Sequence, residues 1–197
     1  MARIFPNNSS CNYNSLERET FTVWMKSLVF HSNGCTIFNS KGDLVYRVDN
    51  YQQRCSSKAF LMDSSGNVLF SINRKKPRIF GCWEGFKWSG NSKVDKKGSW
   101  FQVKRKYTIL SKYISCRVTF KCNKNTKKWY EVVGLEGKST LKIIDQLSGQ
   151  LLAEAVQKQS SGVCLGDDVL TLMVEPEADQ SLVMALVTVY GLINNKL

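Results

Sequence analysis

The 197-residue sequence has a single histidine, three prolines and no CxxC pair among its seven cysteines. Each shortage excludes something. A Ser/His or Cys/His nucleophile pair would have to use His31, which follows an apolar strand-like run and reads as structural. His31 cannot build a zinc site with these cysteine spacings. Few prolines and no low-complexity tract argue against long disorder. No P-loop, GxGxxG or GxSxG is present, and Asp167-Asp168 after Gly166 reads as a turn rather than a metal site. Catalysis therefore finds no support, and the chain reads as non-enzymatic, with no cofactor and no metal. No apolar run follows Met1, as a secretory signal would require. Ala2 excludes N-myristoylation, and Asn195-Lys196-Leu197 is neither a prenylation box nor a good peroxisomal signal.

The cysteines (11, 35, 55, 82, 116, 122 and 164) are odd in number, and several, such as Cys116 and Cys122, sit in apolar alternation. They read as reduced, mostly buried thiols of a cytosolic protein. The plasma-membrane periphery and the nucleus are the other compartments this reading leaves open. Length points to one domain with a substantial core, and a monomer is expected. Residues 1–20, rich in Asn and Ser, read as a loose arm, and 21–197 as the single domain.

Long apolar runs are also scarce. The conspicuous one is Asp179 to Asn194, where only Thr188, Tyr190 and Gly191 interrupt the aliphatic side chains between Leu182 and Ile193. Asp179 is a good N-cap, Glu175 and Glu177 precede it, and Lys196 follows the far end, the charge order a helix dipole favours. Some fourteen helical residues at about 1.5 Å each give roughly 21 Å. A bilayer core needs about 20 apolar residues and roughly 30 Å. The run is short for a transmembrane span, so it predicts a helix buried inside the protein.

Most of the remaining chain alternates with period two between turn signals. Twelve strands are predicted: Phe21-Lys26, Cys35-Asn39, Leu44-Asp49, Ala59-Met62, Val68-Asn73, Arg78-Glu84, Trp100-Tyr107, Cys116-Cys122, Trp129-Val133, Thr140-Asp145, Gln150-Gln157 and Val169-Glu175. Strands do not alternate with helices, so a parallel α/β sheet is excluded. The pattern predicts a mainly β fold, a twelve-stranded antiparallel closed β-barrel. Twelve strands enclose a wide lumen, which the C-terminal helix would fill.

Acidic residues are scarce in one region. Residues 71–128 hold 17 Lys/Arg against Glu84 and Asp95, a net +15, whereas the whole chain carries +12. Such a field attracts phosphates on lipids or nucleic acids. Two sets of candidate anion-binding residues stand out. Arg74, Lys75, Lys76 and Arg78 surround a proline-stiffened bend that could grip a phosphorylated headgroup. Lys104, Lys106, Arg117 and Lys121 fall on outward strand positions that neighbouring strands could join into one patch. Trp83, Trp88, Trp100 and Trp129 lie among them, and at strand positions they read as core.

Several segments carry a resemblance. They are Gly34 to Tyr51, which includes Arg47-Val-Asp-Asn-Tyr51 after a Ser-Lys-Gly turn, then Leu61 to Leu69, Arg74-Lys-Lys76 and Trp83-Glu-Gly-Phe86. Over roughly Phe21 to Asn194 the chain resembles the plant LURP-one-related proteins, which in turn resemble the Tubby C-terminal domain and the phospholipid scramblases. The resemblance implies a twelve-stranded antiparallel barrel around a C-terminal helix, the architecture that strand counting predicts independently. Tubby domains are phosphoinositide-binding, membrane-tethered transcription factors, and scramblases bind calcium. This chain has no scramblase-like acidic calcium loop, Pro-rich N-terminal region or palmitoylated cysteine cluster. No Tubby lipid-binding motif can be matched residue by residue. A link to plant defence is what the family resemblance implies. The expected function is a binding module for anionic phospholipid headgroups, phosphoinositide first, at a membrane surface. The alternatives are a membrane-tethered transcription regulator binding nucleic acid, and a protein-interaction scaffold.

Overall fold

The computed structural model describes residues 17–25, 33–53, 56–75, 81–89, 93–94, 98–107, 112–121 and 128–197. The strands are β1 (Glu19–Trp24), β2 (Asn33–Phe38), β3 (Leu44–Gln53), β4 (Ser56–Asp63), β5 (Val68–Arg74), β6 (Cys82–Ser89), β7 (Lys93–Val94), β8 (Phe101–Lys106), β9 (Tyr113–Phe120) and β10 (Trp129–Leu135). Then come β11 (Leu141–Asp145), β12 (Leu151–Gln157), β13 (Gln159–Ser160), β14 (Val163–Cys164), β15 (Val169–Val174) and the helix α1 (Gln180–Ile193). Every pairing is antiparallel. The order β5-β4-β3-β2-β1-β15-β12-β11-β10-β9-β8-β6 closes on itself through β5–β6, so twelve strands form a barrel without edges. The two-residue β7 lies against β6, and β13 and β14 make a separate hairpin.

Alternation decides the lining. Val23, Ile37, Leu61, Phe70, Val103, Val118, Ile143 and Leu172 point inward from strands around the ring and are buried. They surround α1, in which every residue from Leu182 to Leu192 is buried. Burying an aliphatic side chain is worth about 1.5–3 kcal/mol, so a helix enclosed on all sides serves as the barrel's own core. Its cap is the predicted one: the Asp179 carboxylate accepts from the Leu182 backbone N–H at 3.0 Å. The interior polar group Thr188 donates to the Met184 carbonyl at 2.8 Å. No helix among the described residues is long and apolar enough to cross a membrane.

Three features depart from the sequence reading. The strand predicted to end at Glu84 runs on to Ser89, because Gly85 is not a stop. Gly85 pairs with Phe101 across β6–β8, and a Cβ there would overlap the Phe101 ring, so the glycine admits a large core side chain. β1 begins at Glu19, inside the predicted arm, and Arg18 pairs with Glu175 at 2.7 Å. The Lys196 ammonium does not serve the helix end: its Nζ donates to Asp167 at 2.7 Å, and only its backbone N–H bonds the last turn, at the Gly191 carbonyl, 2.9 Å.

Cys35 and Cys116 are buried free thiols, as alternation predicts; Cys82 is buried too, although its pairing with Lys104 gives it outward parity, whereas Cys164 is exposed in the β13–β14 hairpin. Burial pushes the Cys35 thiol up to about 12. It also pushes Cys116 to about 12, against the opposing charges of Arg105 and Lys106. His31, Cys11, Cys55 and Cys122 lie outside the described residues.

Candidate functional site

The five adjacent strands β5, β6, β8, β9 and β10 present a basic outer wall. Register places its members. Lys104 on β8 faces Cys82 on β6 and Arg117 on β9, and Arg117 faces Glu131 on β10. One step along, Lys106 faces Ser115. The Lys75 backbone N–H donates to the Cys82 carbonyl at 2.8 Å, which puts Lys75 in the Lys104 row. Lys121 follows β9, bonded through its backbone N–H to the Trp100 carbonyl at 3.1 Å. Lys75, Lys104, Lys106, Arg117 and Lys121 thus share one outer surface.

Arg74 belongs elsewhere. Successive strand residues face opposite sides, so it has the inward parity of its partner Trp83. Its guanidinium lies 5.9 Å from the centre of that buried indole, at the barrel's end. Lys76 and Arg78 lie outside the described residues.

Two carboxylates organise the wall. Glu84 accepts from Gln102 Nε2 at 2.6 Å and has Lys75 and Lys121 nitrogens at 3.6 and 3.8 Å. Burial pushes its carboxyl up, but the Gln102 hydrogen bond and the two lysines outweigh that and hold it below the usual range. Glu131 accepts from Lys106, from Ser115 Oγ at 2.6 Å and from Gln146 Nε2 at 3.0 Å. The Lys106 and Ser115 bonds hold its carboxyl low. Between these clusters Lys104 is exposed and makes no ion pair or hydrogen bond with any described residue. Five cations against two carboxylates leave this wall positive.

Aromatic faces position the cations. Arg117 sits 4.5 Å above the Trp129 ring and Lys106 lies 5.6 Å from it. Lys128 and Lys87 lie 5.3 and 5.1 Å from Tyr130 and Trp100. Such contacts contribute about 0.5–1 kcal/mol at exposed sites, and they fix where a long side chain points. Trp83 is core, as its strand position predicts, but Trp129 is half-buried on the outer wall as a platform for Arg117. The signal available in the sequence was parity: Trp129 shares a face with Glu131, and Tyr130 and Val132 take the inward one.

Among the described residues no cluster of His, Cys, Asp or Glu could hold a metal ion. A separate groove of about 350 Å³ opens on the outside of β9–β12, lined by Tyr113, Val133, Leu135, Ile144 and Val156. It adjoins the basic wall at Lys106 and Ser115, because Ser115 pairs with Val133.

Comparison with known proteins agrees with this architecture. The family model described as LURP-one-related matches residues 19–191. Protein LURP-one-related 4 of Arabidopsis thaliana is 43% identical over 196 residues, spanning 98% of this chain and 87% of that protein. Protein LURP-one-related 11 of the same plant is 42% identical over 196 residues, spanning 94% of this chain and 82% of the relative. An X-ray structure of an Arabidopsis thaliana protein superposes with a TM-score of 0.63 at 17% identity, covering 90% of this chain and 92% of that one, and shares the fold. The chain belongs to the LURP-one-related family.

Proposed function

We propose that this domain is a non-catalytic binding module that attaches to anionic phospholipid, phosphoinositide above all, through the wall of β5, β6, β8, β9 and β10. The observation that carries the reading is Lys104. It stands exposed between two neutralised carboxylates, with Arg117 beside it in register and pre-positioned on Trp129. A phosphate seated there would meet an ammonium that no described residue engages and a guanidinium whose side-chain entropy is already reduced. A lysine near an anionic surface contributes about 1 kcal/mol, so several together support reversible attachment. A role in plant defence signalling is the setting that the family resemblance suggests for such attachment.

Co-sedimentation with phosphatidylcholine vesicles, with and without phosphatidylinositol phosphate, tests it. Recovery should rise with the anionic lipid and fall about tenfold in Lys104→Glu/Arg117→Glu. Equal recovery with neutral and anionic vesicles at low salt overturns the reading. A DNA titration separates the nucleic-acid alternative: a log–log salt slope near zero removes it, since phosphate contacts must release counterions.

A further inference from the structure

The exposed large apolar side chains are not scattered over the barrel. Apart from Leu147, those among the described residues gather at one end of it. Trp24 closes β1, Leu135 closes β10, and Val156 is the penultimate residue of β12. Tyr107 directly follows β8, and Tyr113 opens β9 opposite Leu135. Val163 and Leu165 sit on the β13–β14 hairpin beyond β12. Antiparallel order puts all these positions at the end where α1 finishes. There Tyr190 Oη donates to the Leu135 carbonyl at 3.1 Å.

The hairpin is a built spur. Ser161 and Gly162 take φ of 50° and 79°, the left-handed pair of a two-residue turn. Its base is tied by Leu165 N–H to the Lys158 carbonyl at 2.9 Å and by Gln157 Nε2 to the Leu165 carbonyl at 2.6 Å. Yet it holds Val163 65% exposed, and Tyr107 and Tyr113 stand 68% and 63% exposed on the same rim. Soluble surfaces seldom concentrate apolar groups in this way unless something covers them. Tyrosine and tryptophan with aliphatic tips among them are the composition of a membrane–water interface.

Charge on the rim agrees. The acidic groups there are engaged: Glu136 by Arg105 at 2.9 Å, Asp167 by Lys196 at 2.7 Å, and Asp168 by Trp24 Nε1 at 3.3 Å. Lys112 and Lys138 are exposed in the turns beside Tyr113 and Leu135. The basic wall reaches the rim at Lys106, next to Tyr107.

We propose that the barrel stands on a bilayer on this rim, with Val163 and Leu165 entering the acyl boundary and Trp24, Tyr107 and Tyr113 at headgroup level. This rests on the anionic-lipid reading above and adds orientation and depth to it. The wall over β8–β10 then leans onto the headgroups, and the Leu147 end points away from the membrane. Apolar insertion supplies a component of binding that salt does not screen.

The test uses the full chain with Cys11→Ser, Cys55→Ser and Cys122→Ser, which leaves Cys164 as the exposed thiol. An environment-sensitive fluorophore on Cys164 should shift to the blue on phosphatidylcholine–phosphatidylserine vesicles. Lipids brominated near the glycerol end of the acyl chain should quench it. The same fluorophore on Leu147→Cys in a Cys164→Ser background should do neither. Val163→Asp/Leu165→Asp, at solvent-facing positions that leave the core intact, should weaken partitioning about tenfold and make the remainder fully salt-sensitive. Quenching at Leu147, or none at Cys164 while the protein still co-sediments with anionic vesicles, overturns the orientation and leaves the basic wall standing. No co-sedimentation of the unlabelled protein overturns both.

Discussion

The hydroxyl of Tyr190, on the helix, occupies the space that a Cβ at Gly134, on the barrel wall, would fill. The same hydroxyl donates to the neighbouring Leu135 carbonyl, so one contact sets both the depth and the rotation of α1. Gly134→Ala forces the phenol and the Thr140 carbonyl aside. Urea denaturation should show a loss of about 1–3 kcal/mol, the range for overpacking. Tyr190→Phe, which keeps the ring and removes the bond, should cost about 0.5–1.5 kcal/mol. A Gly134→Ala protein as stable as wild type would mean the helix can shift freely against β10.

A charge in the middle of the helix has nowhere to go. Met184 is 0% exposed and Val187 1%. Met184→Lys or Val187→Asp should yield no soluble, cooperatively melting protein. Desolvating an unpaired charge exceeds the ~5–15 kcal/mol that holds such a domain together. Recovery of a soluble variant with a sharp thermal transition would show that α1 is not central to the fold.

Acid should act through Glu131. Its folded carboxyl titrates below its unfolded value near ~4.3, so its stabilising contribution is complete above that value. The contribution disappears as pH falls through the lower, folded value. Wild type should therefore melt higher than Glu131→Gln at neutral pH, by an amount that stays constant down to about pH 5 and shrinks below it. A difference in melting temperature that does not change from neutral to strongly acid conditions would exclude this carboxylate as the cause.

Thiol chemistry should separate wall from spur. Iodoacetamide followed by peptide mapping should modify Cys164 in the folded protein and spare Cys35, Cys82 and Cys116. Burial keeps those three protonated as well as covered. In denaturant all four should react. Early modification of Cys35 would mean the barrel opens between β2 and β3.

Much of the architecture was legible in the sequence because period-two alternation is a geometric signal. Cys116-Arg117-Val118-Thr119 reads the same way in sequence and in space. Misreadings arose where a residue type has two structural uses. Gly85 resembles a strand terminator, yet it makes room for a ring contributed by Phe101, sixteen positions later. Trp129 resembles core because indoles usually are, and only the parity of its neighbours places it outside. The run from Arg74 looks like one cationic cluster, but an extended strand sends Arg74 and Lys75 to opposite faces. The apolar rim was not legible, because Trp24, Tyr113, Leu135 and Val163 lie in four separate stretches. Only the barrel's register brings them to one end.

The ladder between β1 and β15 joins residues 19–24 to residues 169–174. The ring cannot shut until the penultimate element has been synthesised, and the element that fills it comes later still. While attached to a ribosome, the nascent polypeptide exposes two unpaired strand edges and an empty apolar trough. Those are the surfaces that chaperones hold and that aggregates grow from. Contacts so distant along the chain also make spontaneous assembly slow, on the millisecond-to-second scale of all-β domains. The barrel can therefore close only once β15 and α1 have both emerged from the ribosome.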